Sequence, residues 1–268
     1  MPSVVITGAA RGLGYGFMQY FSAQGWTVFG LVRRNKAETE AKVEKEGLKN
    51  VTIFEADVQD APALQKAAEG VSKITGGKLD IMINNAASLA PNYRWENLDE
   101  IPTAVLEEEL TDAYRVNVIG VIFGTNAFLP LIRAGSMKKV ITLATGMADL
   151  DLTNELDVTS AAAYSISKTA TNMVVAKYNA SYGKSEGILF LALSPGMVDT
   201  GMNGDAETEQ AQKGMQKMIT SFAKYAPHFK GPITVEESIS AMVDVITKAT
   251  PESLGGGFVS HHGDKNWL

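Results

Sequence analysis

The stretch VVITGAARGLGYGF, residues 4–17, decides the fold, because a short apolar run leads through a glycine-rich turn into an apolar helix. Glycines in such a turn let the backbone bend sharply and approach a pyrophosphate, and the amides at the helix start carry partial positive charge. Strand, turn and helix in this order predict a dinucleotide-binding site. The cofactor-binding residues predicted in this turn are Gly8, Arg11, Gly12, Leu13 and Gly14.

Six further apolar runs follow with helical stretches between them: TVFGLVRR, VTIFEAD, LDIMINNA, KKVITLAT, GILFLALSPG and GGFVSH. Runs that are apolar nearly throughout are typical of parallel strands buried on both faces, and the segments between them are long enough for crossover helices. The pattern predicts an α/β doubly wound parallel sheet of the Rossmann type. No repeat, linker or low-complexity tract interrupts it, so residues 1–268 are expected to form a single domain for cofactor binding and catalysis.

Two segments exceed the length that a crossover needs, residues 146–163 and 201–232. Both leave from the carboxyl ends of predicted strands, where ligands bind in open α/β sheets. These segments are the predicted substrate loops.

Composition narrows the class of ligand. The 268 residues carry a net charge of −6 and no Lys/Arg-rich run, which argues against nucleic acid or an anionic membrane surface as a partner and favours a small molecule. No cysteine is present, and the three histidines, His228, His261 and His262, lack further ligands at metal-binding spacing, so no metal site is expected. Because the first residues resemble neither a signal peptide nor a membrane span, a cytoplasmic location is expected.

The end of the second predicted strand indicates the nucleotide. An NAD site usually has an acidic residue there, whereas this chain has Arg33, which fits a 2′-phosphate, and Arg11 adds a second positive charge. The predicted cofactor is therefore NADP. After the third strand, Asp57 can accept from an adenine amino group while Val58 packs against the ring. The alternatives are solvated positions for Arg33 and Arg34, and a helix N-cap for Asp57.

The motifs TGAARGLG, NNAA, RVNVIG, YSISK and SPGMVDT occur in this order, and with them the chain resembles the short-chain dehydrogenase/reductase family over almost its whole length. The segments TNAFLPLI, KTATNM and GGFVSHHGDKNWL are similar to the single-domain carbonyl reductase branch that includes C-factor-like and fungal ketoreductase-like proteins. Tyr164 and Lys168 lie one helical turn apart, a spacing that taken alone is more typical of a solvated surface pair than of a catalytic site.

The resemblance implies that Tyr164 is the general acid that protonates a carbonyl oxygen as hydride reaches the carbon. A free phenol has a pKa near about 10, and Lys168 together with an oxidised nicotinamide is expected to lower it toward working pH. Lys168 also matches the residue that bonds the nicotinamide ribose. Asn117 matches the residue that holds a water linking this lysine to solvent, the alternative being a helix-interior asparagine satisfied by backbone groups.

The chain departs from the family where a serine pair usually follows the fifth strand, because Ala144 and Thr145 stand there. Thr145 is therefore the predicted source of the hydroxyl that polarises the carbonyl; it keeps a donor and an acceptor but adds a methyl group. The interval to Tyr164 is longer than is usual in the family and contains four acidic residues. These either select a basic or polyhydroxylated substrate or are solvated loop charges: Asp149, Asp151, Glu155 and Asp157.

The remaining site residues follow from the family motifs at strand ends. The further cofactor-binding residues expected are Asn85, Ala86, Pro195, Gly196, Val198 and Thr200. The substrate-binding residues expected are Met147, Met197 and Met202. An apolar stripe at helical spacing then follows, which is either core or a lid over a bulky apolar substrate: Met215, Met218, Ile219 and Phe222.

Taken together, the sequence predicts an NADPH-dependent reductase of a ketone or aldehyde. The alternative is a protein that binds NADP without redox turnover, as a sensor, scaffold or non-redox catalyst, because the usual serine is replaced by Thr145. Association into a homodimer or homotetramer through helices at about 103–133 and 158–183 is implied by the resemblance.

Overall fold

A computed structural model of the chain describes residues 1–90, 93–201, 209–227 and 229–268. The strands in these residues are β1 (Ser3–Thr7), β2 (Thr27–Val32), β3 (Val51–Glu55), β4 (Ile81–Asn84), β5 (Lys139–Leu143), β6 (Leu189–Ser194), β7 (Val198–Asp199), β8 (Ile233–Thr234) and β9 (Phe258–Ser260). Seven of them form one parallel sheet in the order β3-β2-β1-β4-β5-β6-β9. Each of the seven coincides with a predicted apolar run, so the predicted doubly wound sheet is confirmed.

The helices of the described residues alternate with the strands. They are α1 (Gly12–Ala23), α2 (Lys36–Lys45), α3 (Ala61–Thr75), α4 (Thr103–Tyr114), α5 (Gly120–Ala134), α6 (Leu150–Glu155), α7 (Ala162–Tyr178), α8 (Lys184–Glu186), α9 (Glu209–Tyr225), α10 (Val235–Lys248) and α11 (Pro251–Leu254). A π-helical turn at Arg115–Ile119 joins α4 to α5, and another at Asn179–Gly183 joins α7 to α8.

Both faces of the sheet are covered, because neighbouring residues of a strand point to opposite sides. On β1, Val4 and Ile6 belong to a core shared with α1 and α10, whereas Val5 belongs to a core shared with α3, α5 and α7. These three valine and isoleucine side chains are fully buried. Their burial explains why the strands are apolar throughout, and the result is one Rossmann-like α/β domain.

The sequence gives no sign of the short β7–β8 pair. Its two-residue strands connect the segment after β6 to the start of α10, and Ile233 donates to the Met197 carbonyl over 2.8 Å. The pair holds the chain after β6 against the sheet edge, where the predicted cofactor turn lies.

The run Thr103–Ala134, formed by α4, the π-helical turn and α5, is long and apolar enough to cross a membrane, with a mean hydropathy of 1.5 in its most apolar window. More than half of that window is buried inside the fold, and Phe128 and Ile132 are fully buried against the sheet. Among the described residues this is the one helical run with such composition, and its packing is that of a core helix.

Candidate active site

A cavity of about 1220 Å³ extends along the carboxyl ends of the strands. The residues predicted from sequence that line it are Gly8, Arg11, Gly12, Leu13, Arg33, Asp57, Val58, Asn85, Ala86, Thr145, Met147, Tyr164, Lys168, Pro195, Gly196, Met197, Val198 and Thr200. Gly14 and Asn117 lie behind its wall, and Met202 lies outside the described residues. The cavity therefore joins the predicted cofactor turns to the predicted catalytic side chains.

The glycine-rich turn has the backbone that its sequence predicts. Gly8 and Gly12 adopt φ values of +66° and +54°, a left-handed region that favours glycine. A Cβ on Gly8 would lie 2.8 Å from the Ala86 Cα, and one on Gly14 would collide with the Gly8 carbonyl oxygen. Gly14 thus serves the close packing of α1 on the turn, and Gly8 keeps the cradle open.

Asn85 fixes the ends of β1 and β4 to one another. Its side-chain amide donates to the carbonyls of Thr7 at 2.8 Å and Gly8 at 3.1 Å. The Thr7 hydroxyl oxygen accepts in return from the backbone N–H groups of Asn85 and Ala86, both at 3.0 Å. These bonds pin the floor of the cavity beside the glycine turn.

One end of the cavity is rich in cationic side chains. Arg33 and Arg34 both line it, and Lys42 and Lys45 on α2 join them. Arg34 therefore lies on the cavity wall together with Arg33. The sequence reading missed the two lysines, because a charged helix such as α2 looks like an ordinary solvated face.

Of these cationic side chains, Lys42 is held by its neighbours. The Lys42 ammonium lies 3.6 Å from the centre of the Tyr15 ring, and the Tyr15 hydroxyl donates to Glu46 over 2.9 Å. Burial and the Glu46 carboxylate raise the pKa of the Tyr15 phenol far above its usual value. The neutral phenol thus remains the donor that orients Glu46 at this end of the cavity.

Asp57 is not the cap of the helix that follows it. Its carboxylate accepts from the Gln59 N–H over 2.9 Å, whereas Asp60 is the N-cap of α3 and accepts from the Ala63 N–H over 3.0 Å. The N-cap alternative for Asp57 is therefore wrong. Asp57 instead shapes a turn on the cavity wall, next to the buried side chain of Val58.

Tyr164 and Lys168 project from the first turns of α7, one turn apart, toward the end of β5. Lys168 is 2% exposed, its Nζ lies 5.8 Å from the centre of the Tyr164 ring, and it donates to the Leu143 carbonyl over 2.7 Å. Burial lowers the pKa of Lys168 to about 8. The pair is therefore built into the site, and the solvated-surface alternative is wrong.

The pKa of Tyr164 differs from the expectation. Burial raises it to about 12, while a hydrogen bond from Thr145 and the charge of Arg94 lower it by smaller amounts. The protein alone thus holds Tyr164 as a protonated phenol, because desolvation outweighs these partners and the Lys168 ammonium is bonded to Leu143. Lys168 does not by itself bring this pKa toward neutrality.

Thr145 lies two residues after the end of β5, on the cavity wall, where the family usually has serine. Its hydroxyl oxygen accepts from the Met147 N–H over 3.3 Å and so caps the 3₁₀ turn Gly146–Ala148, while the Gly146 N–H donates to the Ser194 hydroxyl over 3.1 Å. These contacts anchor the loop that presents the Thr145 hydroxyl to Tyr164.

Asn117 sits in the π-helical turn and is fully buried. Its side chain accepts from the Ser88 N–H at 2.8 Å and donates to the Ser88 carbonyl at 2.9 Å and the Ser167 hydroxyl at 2.8 Å. The Asn117 carbonyl accepts from Thr171 over 2.8 Å. Asn117 therefore ties the loop after β4 to α7, and its role in a water relay stays a prediction.

The acidic residues of segment 146–163 have different surroundings. Asp151, Glu155 and Asp157 are exposed, whereas Asp149 is buried. The Asp149 carboxylate caps α6 through the Leu152 N–H at 3.0 Å and pairs with Lys265 at 3.2 Å. The solvated-charge alternative thus describes the first three residues but is wrong for Asp149, which ties the loop to the C-terminal segment.

The other end of the cavity is walled by apolar side chains. They come from the 146–163 loop, from the turn after β6, from α9 and from the C-terminal segment: Met147, Leu152, Met197, Met215, Met218, Phe222 and Trp267. On α9, Ile219 is 38% exposed and does not line the cavity. Three residues of the predicted apolar stripe on α9 therefore form one wall of the cavity, Met215, Met218 and Phe222, and Ile219 does not.

Trp267 and Arg94 also line this end, and the sequence reading did not identify either of them. Trp267 is buried, stacks on Phe258 with 4.4 Å between ring centres, and would meet a Cβ on Gly146 at 2.9 Å. Its place in a C-terminal segment that the family resemblance covers was the available signal. Arg94 stands in a loop without periodicity, where no local pattern marks it.

His261 supports the turn after β6 from behind. A Cβ on Gly196, which has a φ of +81°, would lie 2.8 Å from the His261 ring. Burial lowers the pKa of this buried imidazole to about 4, so it is neutral. Among residues 1–90, 93–201, 209–227 and 229–268 no group of three His, Asp or Glu side chains could hold a metal ion.

Comparison with known proteins identifies the family. Residues 2–211 match the family model described as short chain dehydrogenase. The chain is 46% identical to the short-chain dehydrogenase/reductase AacuF of Aspergillus aculeatus over 269 residues, and 43% identical to the short chain dehydrogenase virK of Hypocrea virens over 274 residues, with all of each chain covered in both comparisons.

Solved structures share the architecture. The NADPH-bound carbonyl reductase from chicken fatty liver superposes with a TM-score of 0.77 at 24% identity, and the carbonyl reductase Sniffer of D. melanogaster with a TM-score of 0.75 at 21% identity, each over 98% of both chains. At these identities the likeness shows the fold. The family match and the full-length relatives show more: this chain belongs to the short-chain dehydrogenase/reductase family of NAD(P)-dependent oxidoreductases.

Proposed function

We propose that the protein is an NADPH-dependent reductase that converts the ketone or aldehyde group of a bulky apolar or aromatic molecule into an alcohol. The observation that carries this proposal is the convergence of Tyr164, Thr145 and Lys168 on one cavity that continues into the glycine-rich turn. An apolar wall at the same end suits an apolar substrate.

The residues present fit a dinucleotide. The cradle at Gly8 and Gly12 would be closed by added Cβ atoms or strained by their positive φ values, so its backbone is kept bare. Gly8, Gly12 and the start of α1 would hold the pyrophosphate, and Thr200, whose side chain lies 3.7 Å from a Cβ built on Gly12, would close over it. NADPH, when bound, supplies the hydride that reduces the carbonyl carbon.

The chain's own side chains handle the carbonyl oxygen. Tyr164 holds a proton at its hydroxyl at neutral pH, since its pKa lies at about 12, and donates that proton to the oxygen. The Thr145 hydroxyl, which lines the same cavity and lowers the pKa of Tyr164, stabilises the negative charge that develops on the same oxygen. Lys168, with one proton bonded to Leu143, has further donors to orient the ribose and to stabilise Tyr164 once it is deprotonated.

NADP rather than NAD is favoured by the cationic end of the cavity. Arg33 directly follows β2, at the position where an acidic residue would bind a ribose 2′-hydroxyl, and Arg34, Lys42 and Lys45 also line the cavity. A planar guanidinium pairs bidentately with a phosphate, so Arg33 is the proposed anchor of the 2′-phosphate.

The test is NADPH consumption, followed by absorbance, with aromatic, aliphatic and polyketide-like carbonyl compounds, beside NADPH binding measured by fluorescence. A reductase consumes NADPH only when a carbonyl is present. Binding without consumption across the whole panel would instead support the alternative, an NADP-binding sensor, scaffold or non-redox catalyst. We further propose a cytoplasmic location and a homodimer or homotetramer, which size-exclusion chromatography with light scattering can check.

A further inference from the structure

At the apolar end of the cavity one cationic side chain stands out. Arg94 is half-buried on the wall of the cavity, which Met147, Phe222 and Trp267 also line. In such surroundings an unpaired charge is unfavourable, and it gains most from an anionic partner with complementary hydrogen bonds. What Arg94 contacts is therefore informative about the ligand.

Within the residues that the structure describes, Arg94 forms no ion pair with a carboxylate. Four acidic side chains line the cavity, but none forms an ion pair with Arg94: Glu38, Glu46, Asp57 and Asp199. Three have partners elsewhere, since Glu46 accepts from Tyr15, Asp57 from Gln59 and Asp199 from Gly201. The Arg94 guanidinium instead lies over the Trp95 ring, 5.3 Å from its centre.

Arg94 is also fixed relative to Tyr164. Its carbonyl accepts from the Ala161 N–H over 2.6 Å, and Ala161 is the N-cap of α7, three residues before Tyr164. On its other side the Trp95 ring packs so closely under Gly214 of α9 that no Cβ would fit there. Arg94 is thus clamped between the helix that carries Tyr164 and the helix that walls the cavity.

The charge of Arg94 acts on Tyr164. The positive charge of Arg94 lowers the pKa of Tyr164, which places the two side chains within Coulombic reach of one another. A substrate whose carbonyl oxygen meets Tyr164 would therefore bring a neighbouring substituent close to the guanidinium.

We infer that Arg94 binds an anionic oxygen group, a carboxylate or an ionised phenol or enol, on an otherwise apolar carbonyl substrate. This inference rests on the proposed function for the identity of the reacting group, but the anion site stands on its own geometry. Arg94 thereby determines specificity and positions the substrate. It takes no part in proton transfer.

Binding tests the site without any turnover. The protein saturated with NADP⁺ is titrated by calorimetry with 2-naphthoate and with the neutral amide 2-naphthamide. We expect the wild type to bind the carboxylate at least about tenfold more tightly, the Arg94→Met variant to lose this preference, and Arg94→Lys to keep part of it. Equal binding of both probes by the wild type would overturn the inference, as would a preference that persists in Arg94→Met and so reflects the cofactor's own charge.

The matched control is Arg133→Met. Arg133 lies at the end of α5, away from the cavity, and pairs with Glu186 at 2.6 Å on the surface, so its loss should leave the preference unchanged. Thermal unfolding of each variant shows that it is folded before binding is compared. A preference lost equally in both variants would refute a site at Arg94.

Turnover separates this inference from the proposed function. The ortho, meta and para acetylbenzoates are compared with their methyl esters as substrates. We expect at least one acid to have a KM about tenfold below that of its ester, with the difference abolished in Arg94→Met. Reduction of the esters without any preference for the acids would leave the proposed function standing and overturn the inference. Anion-selective binding without turnover of either the acids or the esters would support the anion site at Arg94 and count against the proposed reductase function.

Discussion

The burial of the Lys168 ammonium predicts that this side chain lowers the free energy of unfolding. Lys168 is 2% exposed and has no carboxylate within ion-pair distance in the described part of the chain, and burial lowers its pKa from 10.5 to about 8. At pH 7 this lowering corresponds to a cost of about 3 kcal/mol for holding the charge inside the fold. A site that needs this lysine for function thus loses stability by keeping it.

Replacing Lys168 with methionine should remove that cost. The variant also loses the hydrogen bond to the Leu143 carbonyl, a contribution of about 1 kcal/mol, so we expect it to be more stable than the wild type by about 2 kcal/mol at pH 7. Between pH 8 and 10.5 the unfolded chain holds a proton that folded Lys168 has released, so the wild type gains stability as pH rises. The advantage of the variant should therefore shrink by about 2 kcal/mol between pH 7 and pH 10.

The assay is urea unfolding of the cofactor-free protein at both pH values, with the difference between variant and wild type taken at each. The control is Lys177→Met, an exposed lysine on the same helix, which should change the free energy of unfolding by less than about 0.5 kcal/mol. A Lys168→Met variant that is less stable than the wild type at pH 7, or a difference that does not depend on pH, would refute the reasoning.

Three further substitutions probe the site. Gly8→Ala forces a Cβ to 2.8 Å from the Ala86 Cα at a φ of +66°, so the stabilisation by NADPH in thermal unfolding, about 2.7 kcal/mol at a hundredfold excess over Kd in the wild type, should vanish; its retention would show that the turn tolerates a side chain. Thr145→Val should lower kcat by about 10²–10³-fold while Thr145→Ser retains activity, and equal kcat values for the two would exclude a polarising hydroxyl. Arg33→Ser should weaken NADPH binding by about tenfold and leave NADH binding nearly unchanged, and titration showing equal losses would place the 2′-phosphate elsewhere.

The sheet was readable from the sequence because its strands are buried on both faces. An interior strand such as β1 or β6 is then apolar at nearly every position, which leaves a nearly continuous apolar run such as SVVIT or LFLALS. The two-residue strands β7 and β8 leave no such run, since their pairing depends on where the chain returns after α9. The order of the strands depends on which crossovers bring them together, and the apolar runs alone do not specify it.

The candidate site was readable where its residues lie in local motifs. The turn at Gly8 and the Tyr164–Lys168 turn of α7 are each set by neighbouring residues, so their sequence reports their geometry. Arg94 and Trp267 reach the cavity by tertiary packing from segments far apart in the chain. No local pattern marks Arg94, and Trp267 is marked only by the family resemblance of its segment.

The pKa values of the site residues were the hardest property to predict from the sequence. The sequence predicted that Lys168 together with an oxidised nicotinamide lowers the pKa of Tyr164, whereas in the protein alone burial dominates and raises it to about 12. Desolvation depends on how completely the fold encloses a group, and it also lowers the pKa of Lys168 itself. A pair that is one turn apart on a helix can be identified from sequence, but its burial cannot.

The most direct measurement of the central claim compares the wild type with Tyr164→Phe in NADPH consumption with a carbonyl substrate found in the panel, while NADPH binding is followed by fluorescence in both. The account predicts that consumption falls by at least about 10²-fold in the variant and that NADPH still binds, because the change removes only the proton donor. Consumption that survives in Tyr164→Phe with bound NADPH would contradict the assignment of Tyr164 as the acid.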